Sequence, residues 1–256
     1  MSVSHKPSQA WPYPRLVAHR GGGALAPENT LAAIGVGARF GAKMIEFDAK
    51  LSADNVVFLL HDDTVDRTSD GKGAAAALTY ASIAKLDAGR WFHKGFAGET
   101  MPVLADVAKS CAQFGLAANV EIKPSIGREA LTGDIVAREA ARLWKDSAAP
   151  PLLSSFSYEA LRAARDAAPD LPRGLLYTAL PPDWREQVES LECVSLHIDH
   201  RVLDEATVVT IKAAGLKMLV YTVNDPQRAR QLAAWGVDAI CTDRIDTVTA
   251  EQLGVA

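Results

Sequence analysis

Helical patterns that end in glycine, each followed within a few residues by a short apolar run, recur along the chain. The segments are RFGAKMIEF, QFGLAANVEI, AAGLKMLVY and AWGVDAICT, in which the glycines are Gly41, Gly115, Gly215 and Gly236. Glycine at this position typically closes a helix in the left-handed conformation, and a continuous apolar run is typical of a buried parallel strand. Because helix and strand alternate over the whole length, we predict a closed (β/α)8 barrel.

Nine apolar runs are candidate strands, one more than an eight-stranded barrel needs. They are 15–18, 44–50, 56–61, 117–122, 152–155, 174–177, 193–198, 217–223 and 238–242. Only Leu-Ser-Ala-Asp-Asn, residues 51–55, is left between the second run and the third, which excludes an intervening helix, so these two runs are predicted to form a hairpin.

A long connection follows this hairpin. Residues 64–100 exceed the usual length of a loop in a compact domain, and they predict a small insertion over one end of the barrel. Because no linker or shift in composition divides the chain, residues 1–256 are predicted to form a single domain, in which 1–13 are a flexible tail.

Composition narrows the class of protein. The 256 residues are 48% hydrophobic and 23% charged, which is typical of a globular chain. A net charge of −4 without any run of Lys and Arg argues against nucleic acid or an anionic membrane surface as a main partner. The polar N-terminus does not have the pattern of a secretory signal, and the three cysteines lack the spacing of a metal site. We therefore expect a cytoplasmic protein with free thiols and no stable membrane association.

Acidic residues alternate with apolar residues in two of the predicted strands. In 44-MIEFDAK-50 this period of two places Glu46 and Asp48 on one face, and in 119-NVEIK-123 it places Glu121 and Lys123 together. Two carboxylates about 4 Å apart repel each other by roughly 4 kcal/mol at an effective dielectric constant near 20. A hard divalent cation would relieve this repulsion, so Mg²⁺ or Ca²⁺ is predicted there. The alternative is that each acid pairs with a nearby Lys or Arg.

Two histidines follow apolar runs, at the strand ends where barrel active sites are built. His19 follows the first run and His61 ends the third. Together with three acids they suggest a general acid and a general base, although a histidine at a strand end is also commonly a packed, hydrogen-bonded group. Asp62 or Asp63 could orient His61, and the alternative is that both form a turn.

A cation adjoins each half of the acidic group, which suggests an anionic substrate. Arg20 offers a bidentate fork that suits a phosphate, and Lys123 offers a point charge. The glycines at 21–23 would allow the backbone to approach such a ligand. Asn29 or Thr30 is expected to cap the helix that follows.

The ordered set of motifs resembles the glycerophosphodiester phosphodiesterase family, and the resemblance spans nearly the whole chain. The segments WPYPRLVAHRGGG and LLSSF are similar to the bacterial cytoplasmic member associated with glycerol-3-phosphate uptake. The matching motifs are His19-Arg20-Gly21, Pro27-Glu28-Asn29-Thr30, Ile45-Glu46-Phe47-Asp48, His61-Asp62, Leu86-Asp87-Ala88-Gly89, Glu121-Ile122-Lys123, Ser155-Phe156, Thr222-Val223-Asn224-Asp225 and Thr242-Asp243.

The resemblance implies a (β/α)8 TIM barrel with a small insertion. It also implies metal-dependent hydrolysis of small glycerophosphodiesters to sn-glycerol 3-phosphate and an alcohol. Carried over position by position, the family's functional residues are metal ligands at Glu46, Asp48 and Glu121, catalytic histidines at His19 and His61, and phosphate-contacting cations at Arg20 and Lys123.

One position departs from the pattern of many family members. Where they carry tryptophan before the Thr-Val-Asn segment, this chain has Tyr221. We expect Tyr221 to bind substrate at the glycerol end of the site, with Trp91 and Phe92 as further walls.

Two other functions fit the same motifs. The first is a lipid-acting relative, either a lysophospholipase D or a phosphatidylinositol-type phospholipase C. An aromatic content of 7% and the absence of a basic amphipathic segment argue against it. The second is a non-catalytic barrel that binds phosphodiesters, which would be expected to have lost a histidine or an acid.

Overall fold

The computed structural model describes residues 11–254. The strands are β1 (Leu16–Ala18), β2 (Met44–Leu51), β3 (Val57–Leu59), β4 (Ala117–Ile122), β5 (Leu152–Ser155), β6 (Arg173–Tyr177), β7 (Ser195–Asp199), β8 (Lys217–Tyr221) and β9 (Ala239–Thr242). The helices are α1 (Leu31–Arg39), α2 (Tyr80–Ile83), α3 (Leu104–Phe114), α4 (Glu129–Leu143), α5 (Tyr158–Ala167), α6 (Trp184–Ser190), α7 (Glu205–Ala213) and α8 (Pro226–Ala234).

Eight of these strands form a closed parallel barrel, as predicted. Their order is β1, β2, β4, β5, β6, β7, β8 and β9, and the barrel closes because β1 pairs with both β2 and β9. The four glycines that predicted helix ends, at 41, 115, 215 and 236, all have positive φ, between 63° and 98°. Strand boundaries differ from the predicted ones by up to two residues, which is the usual uncertainty at element ends.

The ninth strand belongs to the predicted hairpin. β3 pairs antiparallel with the end of β2, with Leu51 opposite Val57 and Ala49 opposite Leu59. The chain therefore turns at the top of β2 and runs back toward the barrel mouth before it enters the insertion. The insertion has its own small core, formed around β3 by Phe58, Leu60, Val65, Ala75, Ile83, Ala88 and Met101.

The amino-terminal end of the barrel is closed by Tyr13. This side chain packs with the first residues of three strands, Met44, Leu152 and Ala239, and its hydroxyl donates a hydrogen bond to the Pro150 carbonyl at 2.9 Å. Most of the predicted flexible tail, residues 1–10, lies outside the described residues. The prediction does not hold for Tyr13, because burying this ring closes the barrel end.

The cysteines are free, as expected, with Cys111 and Cys241 buried and Cys193 half-buried. Within residues 11–254, none of the helices is long and apolar enough to cross a membrane.

Candidate active site

Three buried carboxylates meet at the mouth of the barrel. Glu46 and Asp48 lie on β2 and Glu121 lies on the neighbouring β4, where Asp48 and Glu121 are partners in the strand register. One oxygen from each residue lies within 4.8 Å of the others. The period-two pattern is the reason for this meeting, because it points both acids of β2 to the same side as the acid of β4. We call these three residues the acidic centre.

Two cations face the acidic centre. Lys123 Nζ lies 2.8 Å from Glu121 Oε1 and 3.9 Å from Asp48 Oδ1. Arg20 Nε lies 3.6 Å from Asp48 Oδ2. The alternative that the acids are simply paired with Lys and Arg thus describes two of the three carboxylates.

Glu46 is the exception. Its Oε2 accepts a hydrogen bond from the Arg20 backbone N–H at 3.0 Å, but its buried Oε1 has no hydrogen-bond partner among the described residues. Burial raises the pKa of the Glu46 carboxyl above its usual range, and the neighbouring Asp48 carboxylate raises it further. An unpaired, buried oxygen beside two more carboxylates is a donor set that suits a hard cation such as Mg²⁺ or Ca²⁺.

Each predicted catalytic histidine is held by an aspartate. His19 Nδ1 lies 2.6 Å from Asp243 Oδ1, and His61 Nδ1 lies 2.7 Å from Asp62 Oδ1. Because a carboxylate only accepts hydrogen bonds, Nδ1 carries the proton in both rings, which leaves Nε2 to exchange protons with a ligand. His19 Nε2 is 3.8 Å from Glu46 Oε2, beside the acidic centre.

The two histidines differ in their electrostatic surroundings. Burial lowers the pKa of His19, but the hydrogen bond to Asp243 and the charge of Glu46 outweigh it, so that the pKa is raised. For His61, burial outweighs the nearby carboxylates and lowers the pKa below its usual value. The site therefore holds one histidine that favours a proton and one that disfavours it.

His61 reaches the mouth on the predicted hairpin. It follows the antiparallel β3 rather than a barrel strand, and the Leu60 N–H donates to the Asp48 carbonyl at 3.0 Å. The two aspartates after it have separate contacts. Asp62 orients His61, whereas Asp63 accepts a hydrogen bond from the fully buried Lys50 at 3.0 Å.

Asn29 and Thr30 also have separate roles. Thr30 caps α1 by accepting a hydrogen bond from the Ala33 N–H. Asn29 instead holds Asp48, because its amide donates to Asp48 Oδ2 at 2.8 Å and accepts from the Asp48 N–H at 3.1 Å. Asn29 is thus a residue of the site that the sequence placed only at a helix end.

The glycine turn packs against protein. Gly23 has φ 56°, and a Cβ there would lie 2.3 Å from the Asp243 carbonyl oxygen. A Cβ at Gly21 would lie 3.1 Å from the backbone nitrogen of Ile34 in α1. The sequence suggests that these glycines make room for a ligand. In the structure, the absence of a side chain at these positions also allows the His19–Arg20 turn to pack closely against α1 and Asp243.

The acidic centre and both histidines line one cavity of about 400 Å³. Its lining also includes four apolar or aromatic side chains, Phe156, Leu176, Leu219 and Tyr221, together with polar residues of the β7 end such as Asp199, His200 and Arg201. The Tyr221 ring meets Phe156 edge to face at 5.9 Å, and its hydroxyl donates to the Tyr177 carbonyl at 2.7 Å. Tyr221 therefore presents its ring to the cavity.

The expectation for the other two aromatic residues is not met. Trp91 and Phe92 lie outside the lining of this cavity. The Trp91 indole donates to the Ala88 carbonyl at 2.8 Å, and its ring packs edge to face against Phe92. Both belong to the insertion.

Several residues of the site were not selected from the sequence. Asp243 could have been found as an acid that directly follows a strand. His197 and Asn119 line the cavity, and each lies two positions before an acid, Asp199 or Glu121, on the same face of its strand. The period-two pattern could therefore have selected both.

The fold and site define a class of protein, a (β/α)8-barrel enzyme with its polar centre at the carboxyl ends of the strands. The sequence profile of the glycerophosphoryl diester phosphodiesterase family matches residues 19–247. The chain therefore belongs to this family of hydrolases.

Individual relatives agree with this result. A glycerophosphodiester phosphodiesterase of Caldanaerobacter subterraneus is 33% identical over 91% of this chain and 95% of its own length. A glycerophosphodiester phosphodiesterase of Bacillus subtilis is 29% identical over 90% of this chain and 83% of its own length. A phosphodiesterase of Oleispira antarctica, solved in complex with its product sn-glycerol-3-phosphate, superposes with a TM-score of 0.87 at 36% identity, covering 92% of this chain and 95% of that chain.

Proposed function

We propose that the protein hydrolyses small glycerophosphodiesters to sn-glycerol 3-phosphate and a free alcohol, with one divalent cation, Mg²⁺ or Ca²⁺, at the acidic centre. The observation that carries the proposal is the convergence of three carboxylates and two aspartate-bound histidines on one cavity. The product complex of the relative from Oleispira antarctica supports the choice of substrate.

Glu46, Asp48 and Glu121 would hold the cation. The unpaired Glu46 Oε1 and the mutual proximity of the three carboxylates support this assignment. When bound, the cation supplies positive charge that stabilises the phosphoryl oxygens as charge develops on them.

Arg20 and Lys123 are assigned to the phosphate. Both already lie within 4 Å of the acidic centre, so an anion bound above it falls within their reach. A cation at the acidic centre would compete with them for the carboxylates, which frees both side chains to contact the phosphate. The guanidinium fork of Arg20 suits two phosphate oxygens, while Lys123 contributes a point charge.

His19 and His61 are assigned to proton transfer. Since each Nδ1 is occupied by its aspartate, Nε2 is the atom that exchanges protons with the substrate. One histidine removes a proton from the nucleophile and the other donates a proton to the departing alkoxide. An alkoxide is a poor leaving group, so the acid contributes as much as the base.

We assign the glycerol moiety to Tyr221 and the other apolar side chains of the cavity, Phe156, Leu176 and Leu219, which can contact its carbon atoms. We further infer that the chain forms a single domain and acts in the cytoplasm. The sequence has no run of Lys and Arg, so we expect no binding to nucleic acid and no stable association with membranes.

The test incubates the purified protein with glycerophosphocholine, with and without a chelator, and measures sn-glycerol 3-phosphate. The proposal expects product only when the divalent cation is present. Release of phosphocholine instead of choline would contradict the proposed position of bond cleavage. Turnover of lysophospholipid in preference to glycerophosphocholine would favour the lipid-acting alternative, and absence of turnover on any diester would favour the non-catalytic one.

A further inference from the structure

Arg67, in the insertion, joins two carboxylates that belong to different parts of the site. Its Nε and Nη2 donate to the two oxygens of Asp62 at 2.6 Å and 3.1 Å. Its Nη1 and Nη2 donate to the two oxygens of Glu28 at 2.7 Å and 2.8 Å. The guanidinium is thus bound by both carboxylates in bidentate geometry, although 45% of its side chain is exposed to solvent.

Asp62, the first of these carboxylates, also binds His61. Asp62 Oδ1 accepts from both Arg67 and His61 Nδ1, and Asp62 Oδ2 accepts from Arg67. The guanidinium therefore fixes the plane of the carboxylate, and the carboxylate fixes the tautomer and the rotation of the imidazole ring.

Glu28, the second of these carboxylates, also binds Arg20. Glu28 Oε1 accepts from Arg20 Nη1 at 2.7 Å as well as from Arg67. Arg20 in turn lies beside Asp48 of the acidic centre. A single residue of the insertion is therefore connected through one carboxylate to a predicted catalytic histidine and through the other to a predicted phosphate ligand.

His61 needs such support more than His19 does. His19 directly follows the barrel strand β1, and its aspartate, Asp243, directly follows β9, the strand that pairs with β1. Asp243 is held by the Asn224 amide, which donates to Oδ2 at 3.0 Å. His61 instead follows the short antiparallel β3 and leads into the insertion. The hydrogen bond from the Leu60 N–H to the Asp48 carbonyl ties the chain to β2 just before His61, and beyond it the Asp62 side chain is held by Arg67 of the insertion.

We propose that Arg67 is a positioning residue that sets the orientation of His61 through Asp62 and of Arg20 through Glu28. The inference rests on the proposed function, which assigns proton transfer to His61 and phosphate binding to Arg20. The two carboxylates are only 14% and 28% exposed, so these four hydrogen bonds fix their positions as well as contributing to stability. Bidentate pairs are the kind that add geometric specificity.

The test compares three variants with the wild-type chain. Arg67→Gln removes the charge and the fork, and Arg67→Lys keeps the charge but removes the fork. Arg138→Gln is the matched control, because Arg138 makes a bidentate pair with Asp134 on the exposed side of α4, away from the cavity. We expect Arg67→Gln to lower kcat about 10- to 100-fold, by analogy with the loss of a residue that orients a metal ligand. Arg67→Lys should recover part of that loss, and the control should keep wild-type kcat. Tm is measured for each variant, and kcat is compared at a temperature at which all of them are folded.

A double-mutant cycle with Asp62→Asn tests whether Arg67 acts through Asp62. If Arg67 acts through Asp62, the loss caused by Arg67→Gln should shrink in the Asp62→Asn background. Full additivity of the two losses would overturn the route through Asp62.

A ¹⁵N spectrum of the histidine rings, recorded on the neutral imidazoles, provides a measurement that does not depend on turnover. We expect His61 to be protonated at Nδ1 in the wild type and in the Arg138→Gln control, and to show a mixture of tautomers in Arg67→Gln. If the wild type fails to hydrolyse glycerophosphocholine, the proposed function fails while the spectrum still tests Arg67. An Arg67→Gln protein with control-level kcat and unchanged His61 signals overturns the inference.

Discussion

Replacing Asp243 with asparagine should impair catalysis through the tautomer of His19. The carboxylate has two acceptor oxygens, of which one binds His19 Nδ1 and the other binds the Asn224 amide. An amide has only one oxygen. If that oxygen stays with Asn224, the new NH₂ group faces His19 and donates to Nδ1, which moves the ring proton to Nε2. In that tautomer Nε2 holds a proton while the ring is neutral, so it cannot accept a proton as a base and donates one far less readily than an imidazolium does.

The size of the effect follows from the bond that is lost. A hydrogen bond to a charged group contributes about 1.5–3 kcal/mol, and each 1.4 kcal/mol corresponds to about a factor of ten. The loss of kcat should therefore be roughly 10- to 150-fold. The Asp243 side chain is 33% exposed, and solvent screening moves the expectation toward the lower half of that range.

The assay measures kcat with glycerophosphocholine for the wild type, Asp243→Asn and the control Asp134→Asn. Asp134 also pairs with an arginine, Arg138, but on the exposed side of α4. Equal Tm values would exclude unfolding as the cause. If kcat of Asp243→Asn lies within twofold of the control, His19 does not depend on this aspartate, and the assignment of its tautomer is wrong.

Three further predictions concern the cation, the histidines and the substrate. Exhaustive chelation should abolish turnover and Mg²⁺ or Ca²⁺ should restore it, whereas full activity in protein shown to be metal-free would refute the acidic centre as a cation site. His19→Ala and His61→Ala should each lower kcat about 10²–10⁴-fold at unchanged Tm. The control His93→Ala, at an exposed position outside the cavity, should keep the wild-type kcat. A near-normal kcat for His19→Ala or His61→Ala would mean that the replaced histidine is structural. Glycerophosphocholine, glycerophosphoethanolamine and glycerophosphoglycerol should have kcat/KM values within about tenfold, or about 1.4 kcal/mol, because no cage of aromatic rings surrounds the cavity in the described residues. Bis(p-nitrophenyl) phosphate should be far slower, and equal turnover of that diester would place the specificity pocket at the wrong end of the substrate.

The amino-acid sequence was sufficient for the barrel and for the acidic centre. Both depend on local periodicity. Alternation within β2 decides that Glu46 and Asp48 share a face, and the five residues between two apolar runs leave room only for a hairpin turn. Such patterns act over a few residues, so they can be read without knowing what lies opposite them.

The partners of these residues depended on the tertiary structure. His19 and Asp243 are 224 positions apart, and they meet only because the barrel closes by pairing β1 with β9. Arg67 reaches Asp62 and Glu28 only because the antiparallel β3 carries the chain back over the mouth. Trp91 and Phe92, which composition alone could not place, pack within the insertion instead of lining the cavity. The physical reason is that a residue's own strand decides to which side of the sheet its side chain points. Which distant residues it then meets is decided by the order in which the strands pair to close the barrel.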